Sequence, residues 1–139
     1  MRAQRLNVPP QGCTTCPYRR DTPPGIWAAE EYEKLRAYDQ DPFDPIAGLS
    51  VFHCHQENLT HKPTVCRGWL SVHQESVAVR LAQAIGAVAH EDVPRAVEPL
   101  YYATGNEAAD AGMAGVLLPP PEARREIDRL IRNGLARPE

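Results

Sequence analysis

Four cysteines in a chain of 139 residues are the feature that most restricts how it can fold. Two of them form a tight pair, Cys13-Thr14-Thr15-Cys16, while Cys54 and Cys66 stand alone far downstream. A C-x2-C turn brings two thiols together by itself, and two more from distant segments reach them only after the intervening chain has folded back. Such a set of soft ligands suits zinc or an iron–sulfur cluster. The expectation is one site built from Cys13, Cys16, Cys54 and Cys66; the competing reading is a set of buried, inert thiols or a disulfide.

The length is that of one domain. A hydrophobic fraction of 42% includes many alanines, and aromatic residues make up only 6%, so the core is expected to be thin and in need of a staple. The net charge of −3 argues against a protein that coats nucleic acid through a general basic field. Direct nucleic-acid binding stays possible but is not indicated by the charge; Arg19, Arg20 and Arg67 are candidates for a partner patch beside the cysteines, and for a basic patch of Arg19, Arg20, Lys34 and Arg36 a solvated face balanced by Glu30, Glu31 and Glu33 is the plainer reading. The N-terminal residues lack the apolar run of a secretory signal, and no stretch approaches the ~20 apolar residues of a membrane span. The expected address is a reducing cytoplasm, where paired cysteines more often bind metal than form disulfides.

Apolar periodicity predicts a mainly α fold, with a small α+β arrangement as the variant: three to four helices and at most short strands around a four-cysteine centre. Residues 1–12 read as a flexible lead, 13–92 as the cysteine-centred core domain and 93–139 as a C-terminal extension. Ala28, Tyr32 and Leu35 mark one helix from Ile26 or Trp27 to about Tyr38, with acidic residues early and basic residues late. Val51 to His55 alternates like a short strand. Ser71 and Gln74 fit a capping box, followed by a stripe of Val77, Leu81, Ile85 and Val88 that predicts one helix as far as His90. A short helix is expected near Asn106 to Ala111. After Pro119-Pro120-Pro121, Ala123, Ile127, Leu130 and Ile131 mark a terminal helix at about 121–133. Asp39, Asp41 and Asp44 lie in a stretch without the glycine and glutamate of a calcium loop, which makes it an ordinary solvated loop.

Proline directly after a ligand, as in Cys16-Pro17, and a single tight pair with two separated cysteines both occur in cubane sites, so [4Fe–4S] leads zinc narrowly. Tyr18, Trp27, Phe52 and Trp69 are the aromatic residues placed to wall the centre from water. His53 and His55 flank Cys54 and offer a zinc variant with three thiolates and one imidazole, although an extended strand points them away from it. His61, His73 and His90 read as surface residues.

The motifs Cys13-x2-Cys16-Pro17-Tyr18-Arg19-Arg20-Asp21, Gly25-Ile26-Trp27-Ala28, Phe52-His53-Cys54-His55 and Cys66-Arg67-Gly68-Trp69 occur in this order in a family that the chain resembles over about residues 12 to 85. That family is an uncharacterised domain of unknown function found in actinobacteriophages and their actinomycete hosts. The resemblance implies such an origin and a cytosolic setting, and no activity. The turn Gly25-Ile26-Trp27 also resembles that of the WhiB-like iron–sulfur regulators, which differ in cysteine spacing and order, place the turn after all four cysteines and carry a basic tail.

Three functions follow from a metal-centred domain. It is a regulatory or binding module that acts through a protein or transcription-complex partner, a metal- or thiol-dependent enzyme using Asp21, His53 or His55, or a purely structural metal staple. The chain has neither a nucleophile motif nor a phosphate loop, which ranks binding above catalysis.

Overall fold

The computed structural model describes residues 4–13, 15–39, 50–54, 63–94 and 98–132. It is mainly helical, as the periodicity predicts. Helix α1 spans Ala29–Ala37, α2 Arg67–Val72, α3 Val77–Ala84, α4 Gly105–Met113 and α5 Pro121–Arg132, with a single 3-10 turn at His90–Asp92 among the described residues. Extended structure there is limited to isolated bridges: Asn7 pairs in parallel with Thr64, His53 antiparallel with Val65, and Arg19 antiparallel with Tyr101.

Helix α1 forms where the stripe places it, with Ala28, Tyr32 and Leu35 buried. Its acidic residues Glu30 and Glu31 lie in the first turn and Lys34 and Arg36 in the last, the order the helix dipole favours. It packs against α4. That approach depends on Gly112, whose missing side chain makes room for the Tyr32 ring; a Cβ there would overlap the ring carbons. Arg36 then ties the outer edge of the pair, reaching Asp110 at 2.7 Å.

The single helix expected from Ser71 to His90 is two. Ser71 lies inside α2 and is buried, and the cap is Ser76, whose hydroxyl accepts from the Val79 N–H. The stripe of Val77, Leu81 and Ile85 faces outward, at 44%, 40% and 42% exposure, and the buried face is the small one: Ala78, Val79 and Ala82. The break after Val72 leaves the stripe to the second helix, which turns its alanine-rich face to the core; of the stripe only Val88, beyond the helix end, is buried. In α5, Ala123, Ile127 and Leu130 are buried as predicted, while Ile131 is exposed.

Residues read as a flexible lead are tied down: the Leu6 N–H donates to Ala87 O, and Asn7 exchanges backbone bonds with Pro63 and Val65. One cluster of buried side chains runs from Cys16 through Trp69 and Val88 to Tyr101, Ala109 and Leu130, so the core continues past residue 92.

The end of α1, the end of α2 and the start of α4 meet at a polar junction. The Asp39 carboxylate accepts from the Gly105 and Asn106 N–H groups at 2.7 and 2.8 Å, capping α4, and lies 2.7 Å from His73 Nε2. The other ring nitrogen, Nδ1, is 2.9 Å from Trp69 O. His73, read from the sequence as a surface residue, is instead largely enclosed between Trp69, stacked at 5.1 Å, and the edge of Tyr18.

Burial pushes the Asp39 carboxyl up, but His73 and the two amide donors outweigh it and hold it below the usual range. A lowered carboxyl stabilises the fold above its unfolded value of about 3.9 and loses that contribution as pH falls through the folded value. Thermal unfolding of the native chain should therefore weaken below about pH 4 more steeply than that of Asp39→Asn, which should be less stable at neutral pH. Gly112→Ala should cost about 1–3 kcal/mol in a denaturant titration, because Tyr32 has to give way.

Candidate metal centre

The first pair of thiols is set by a local turn. The Cys16 N–H donates to Cys13 O at 3.0 Å, and the Arg19 N–H to Cys16 O at 3.1 Å, so the chain coils around the pair. Trp27 holds this turn from behind, its indole N–H donating to Thr15 O at 2.9 Å. Cys54 and Cys66 come from two extended pieces locked side by side: the Cys54 N–H donates to Thr64 O at 2.9 Å and the Cys66 N–H to Phe52 O at 2.8 Å. Cys66 is also the N-cap residue of α2.

The fold brings the four thiols into a linked series. Cys16 Sγ lies 3.8 Å from Cys66 Sγ. The Cys13 thiol is close enough to those of Cys16 and Cys54 to be influenced by both. None of the four cysteines is in a disulfide. Cys16 and Cys66 are buried, Cys13 and Cys54 half-buried. The thiols meet pairwise, and as placed no group of three or more His, Cys, Asp or Glu side chains among the described residues forms a set that could hold an ion.

Close approach at the buried end depends on Gly68. A Cβ on this residue would stand 3.0 Å from Cys16 Sγ and 2.5 Å from Tyr18 Cβ. Sequence reasoning does not single out this glycine within Cys66-Arg67-Gly68-Trp69, although its place two residues after a ligand is a signal. Thr15 also escapes it: the residue is fully buried, with its hydroxyl 3.8 Å from Cys13 Sγ.

The thiols oppose one another's ionisation. Contacts from the Cys16 and Cys54 thiols, with help from Thr15 and against the effect of burial, hold Cys13 down to about 3. Cys16 is pushed well above the ordinary thiol range by Cys13 and Cys66 beside it, and by burial. One thiolate is stabilised by neighbouring S–H groups, and the next has to form against it.

Tyr18, Trp27, Phe52 and Trp69 are all buried, and the Tyr18 ring meets Phe52 edge-on at 6.4 Å. Trp69 donates its indole N–H to Tyr38 O at 3.1 Å. The Tyr18 hydroxyl is enclosed without a hydrogen-bond partner among the described residues. Burial, and then the nearby Cys66 and Asp39, raise it well above the usual phenol range.

The arginines nominated as a patch are engaged separately. Arg19 grips Asp21 with two bonds of 2.7 and 2.8 Å, Arg67 reaches Glu98 at 3.0 Å, and Arg20 lies over the Tyr102 ring at 4.9 Å. His53 is exposed. His55, His61, Asp41 and Asp44 lie outside the described residues.

A family model matches residues 8–126, nearly the whole of the described structure and all four cysteines. The chain belongs to the DUF6283 family. This is a family of unknown function. No curated protein and no solved structure matches the chain. The DUF6283 match crosses residue 92 without a break, as the buried cluster does.

Trp27→Phe should remove the clamp on Thr15 O and leave that buried carbonyl without its donor, lowering stability by about 1–3 kcal/mol in thermal or denaturant unfolding. An unchanged melting curve would show that the indole N–H does not hold the cysteine turn.

Proposed function

We propose that the four thiols of this DUF6283 protein close on one zinc ion, and that the metal staples a small helical module whose work is to bind a protein partner. The observation that carries the metal is the 3.8 Å between Cys16 Sγ and Cys66 Sγ, in a series that also includes Cys13 and Cys54. At a Zn–S distance of about 2.3 Å, the edge of a tetrahedron of sulfurs is about 3.8 Å. A cubane cluster places each thiolate on a different iron at its outer corners and needs the sulfurs farther apart. The spacing therefore favours zinc over the [4Fe–4S] centre that the sequence pattern leads with. Turning side chains about Cα–Cβ bonds would draw the pairwise contacts into one tetrahedron, with the backbone segments already side by side.

What supports a binding role is the surface. Val77, Leu81 and Ile85 stand outward along one face of α3, and Leu117 and Leu118 are 99% and 76% exposed ahead of the prolines. A row of exposed apolar side chains along one helix face offers a surface on which a partner can dock. No helix among the described residues is long and apolar enough to cross a membrane. A cytoplasmic setting, and an origin in actinobacteriophages or their hosts, are the readings that the cysteine usage and the sequence motifs support.

Protein purified without added metal should carry one zinc per chain by elemental analysis and be colourless, with no broad absorption near ~400 nm. Cys16→Ala and Cys66→Ala should each lose the zinc and lower the melting temperature, since binding and folding are linked. A brown, air-sensitive protein would move the assignment to an iron–sulfur cluster; full zinc content in Cys66→Ala would remove Cys66 from the ligand set. Pull-downs from a host cytosol should retain a partner that the chelated form loses.

A further inference from the structure

The short antiparallel bridge of Arg19 with Tyr101 positions two side chains that the cysteine site does not use. The Arg20 N–H donates to Leu100 O at 2.9 Å and the Tyr102 N–H to Tyr18 O at 2.8 Å, so backbone bonds on either side of the bridge hold Arg20 and Tyr102 in register. The Arg20 guanidinium lies over the Tyr102 ring, 4.9 Å from its centroid. Stacking uses the flat face of a guanidinium and leaves its N–H edge for a partner. Arg20 makes no ion pair among the described residues, whereas the neighbouring Arg19 commits its own edge to Asp21 and to Gly12 O.

Arg20 and Tyr102 line a cleft of about 120 Å³ together with Tyr32, Pro23, Pro24 and Gly112. Its walls are fixed to one another. Gly25, at φ +82°, comes so close to Gly115 that a Cβ on it would overlap Gly115 O, which locks the proline turn against the chain just after α4. A cavity of about 150 Å³ takes a benzene molecule, so this cleft takes a group of about five or six heavy atoms, well short of a nucleotide or a cofactor. Prolines, glycine and ring carbons offer such a group an apolar lining, and the charge left for its head is that of Arg20. One fork of N–H donors matches a carboxylate, while a phosphate or sulfate dianion would keep a charge uncompensated. We propose that this cleft is a binding site for a short-chain monocarboxylate, whose carboxylate takes the N–H edge of Arg20 and whose alkyl body lies against Tyr102, Pro23 and Pro24. The group is a free acid or the last residue of a peptide chain, since both present one carboxylate on a short apolar stem. The site needs no metal at the cysteines and is tested apart from the zinc reading.

The test is a titration of the isotope-labelled full chain with sodium butyrate at constant ionic strength, read from the backbone amide signals of Arg20, Tyr102 and Gly112. Those signals should shift to saturation, with butyrate bound at least about tenfold more tightly than sulfate or the neutral butyramide. Arg20→Gln, at an exposed position, should keep the melting temperature and bring butyrate down to the level of butyramide. Arg20→Lys, which keeps the charge and loses the fork, should weaken butyrate several-fold. Ala111→Leu, which fills the cleft from α4, should abolish the shifts with Arg20 in place. Acetyl-alanyl-valine with a free carboxylate, set against its C-terminal amide, separates the two sources: binding tighter than that of butyrate supports a chain end, and weaker binding supports a free acid. No saturable shift with butyrate or the peptide, an equal response to butyramide or sulfate, or an unaltered affinity in Arg20→Gln would each overturn the inference, whatever the metal content of the protein.

Discussion

The contact between Cys16 and Cys66, 3.8 Å across and fifty residues apart in the chain, is the join on which the rest of the fold depends. Neither segment is regular secondary structure up to that point; one is a turn and the other an extended piece that becomes a helix. With only 6% aromatic residues and an alanine-rich interior, hydrophobic burial is spread thinly. The chain compensates by concentrating its large side chains, Tyr18, Phe52, Trp69 and Tyr101, around the thiols. Paired sulfurs surrounded by rings form the centre from which the helices are arranged outward.

From that centre, position is passed along a short series of contacts. Cys66 sets the start of α2, Trp69 and His73 follow along it, and His73 meets Asp39, which caps α4. Helix α4 then receives α1 through the gap at Gly112. The cysteine site and the helix pair are thus parts of one mechanical unit.

Much of this is legible from residue types and spacing. The C-x2-C pair, the buried faces of α1 and α5, and the aromatic wall depend on local pattern, and local pattern is what a sequence displays. The misread elements depend on chain breaks and on partners from elsewhere. Ser71 fits a capping box with Gln74, yet it is buried inside α2 and Ser76 caps the next helix. The role of Asp39 is hidden because its partners, Gly105 and Asn106, lie 66 and 67 residues downstream. His73 shows no visible pattern for the same reason. Gly68 reveals its purpose only when Cys16 and Tyr18 are set against it.

The long reach of these contacts has a consequence for synthesis. On a ribosome adding about 5–20 residues per second, Cys13 and Cys16 are made about 3–10 s before Cys66. Gly12, beside the first pair, waits still longer for Tyr101, whose hydroxyl accepts its N–H at 2.8 Å. During that interval the tight pair is an unshielded dithiol on an unfolded chain. The order of the cysteines along the sequence thus gives the nascent protein a vulnerable period that the finished fold does not have, and a reducing surrounding matters most before folding is complete.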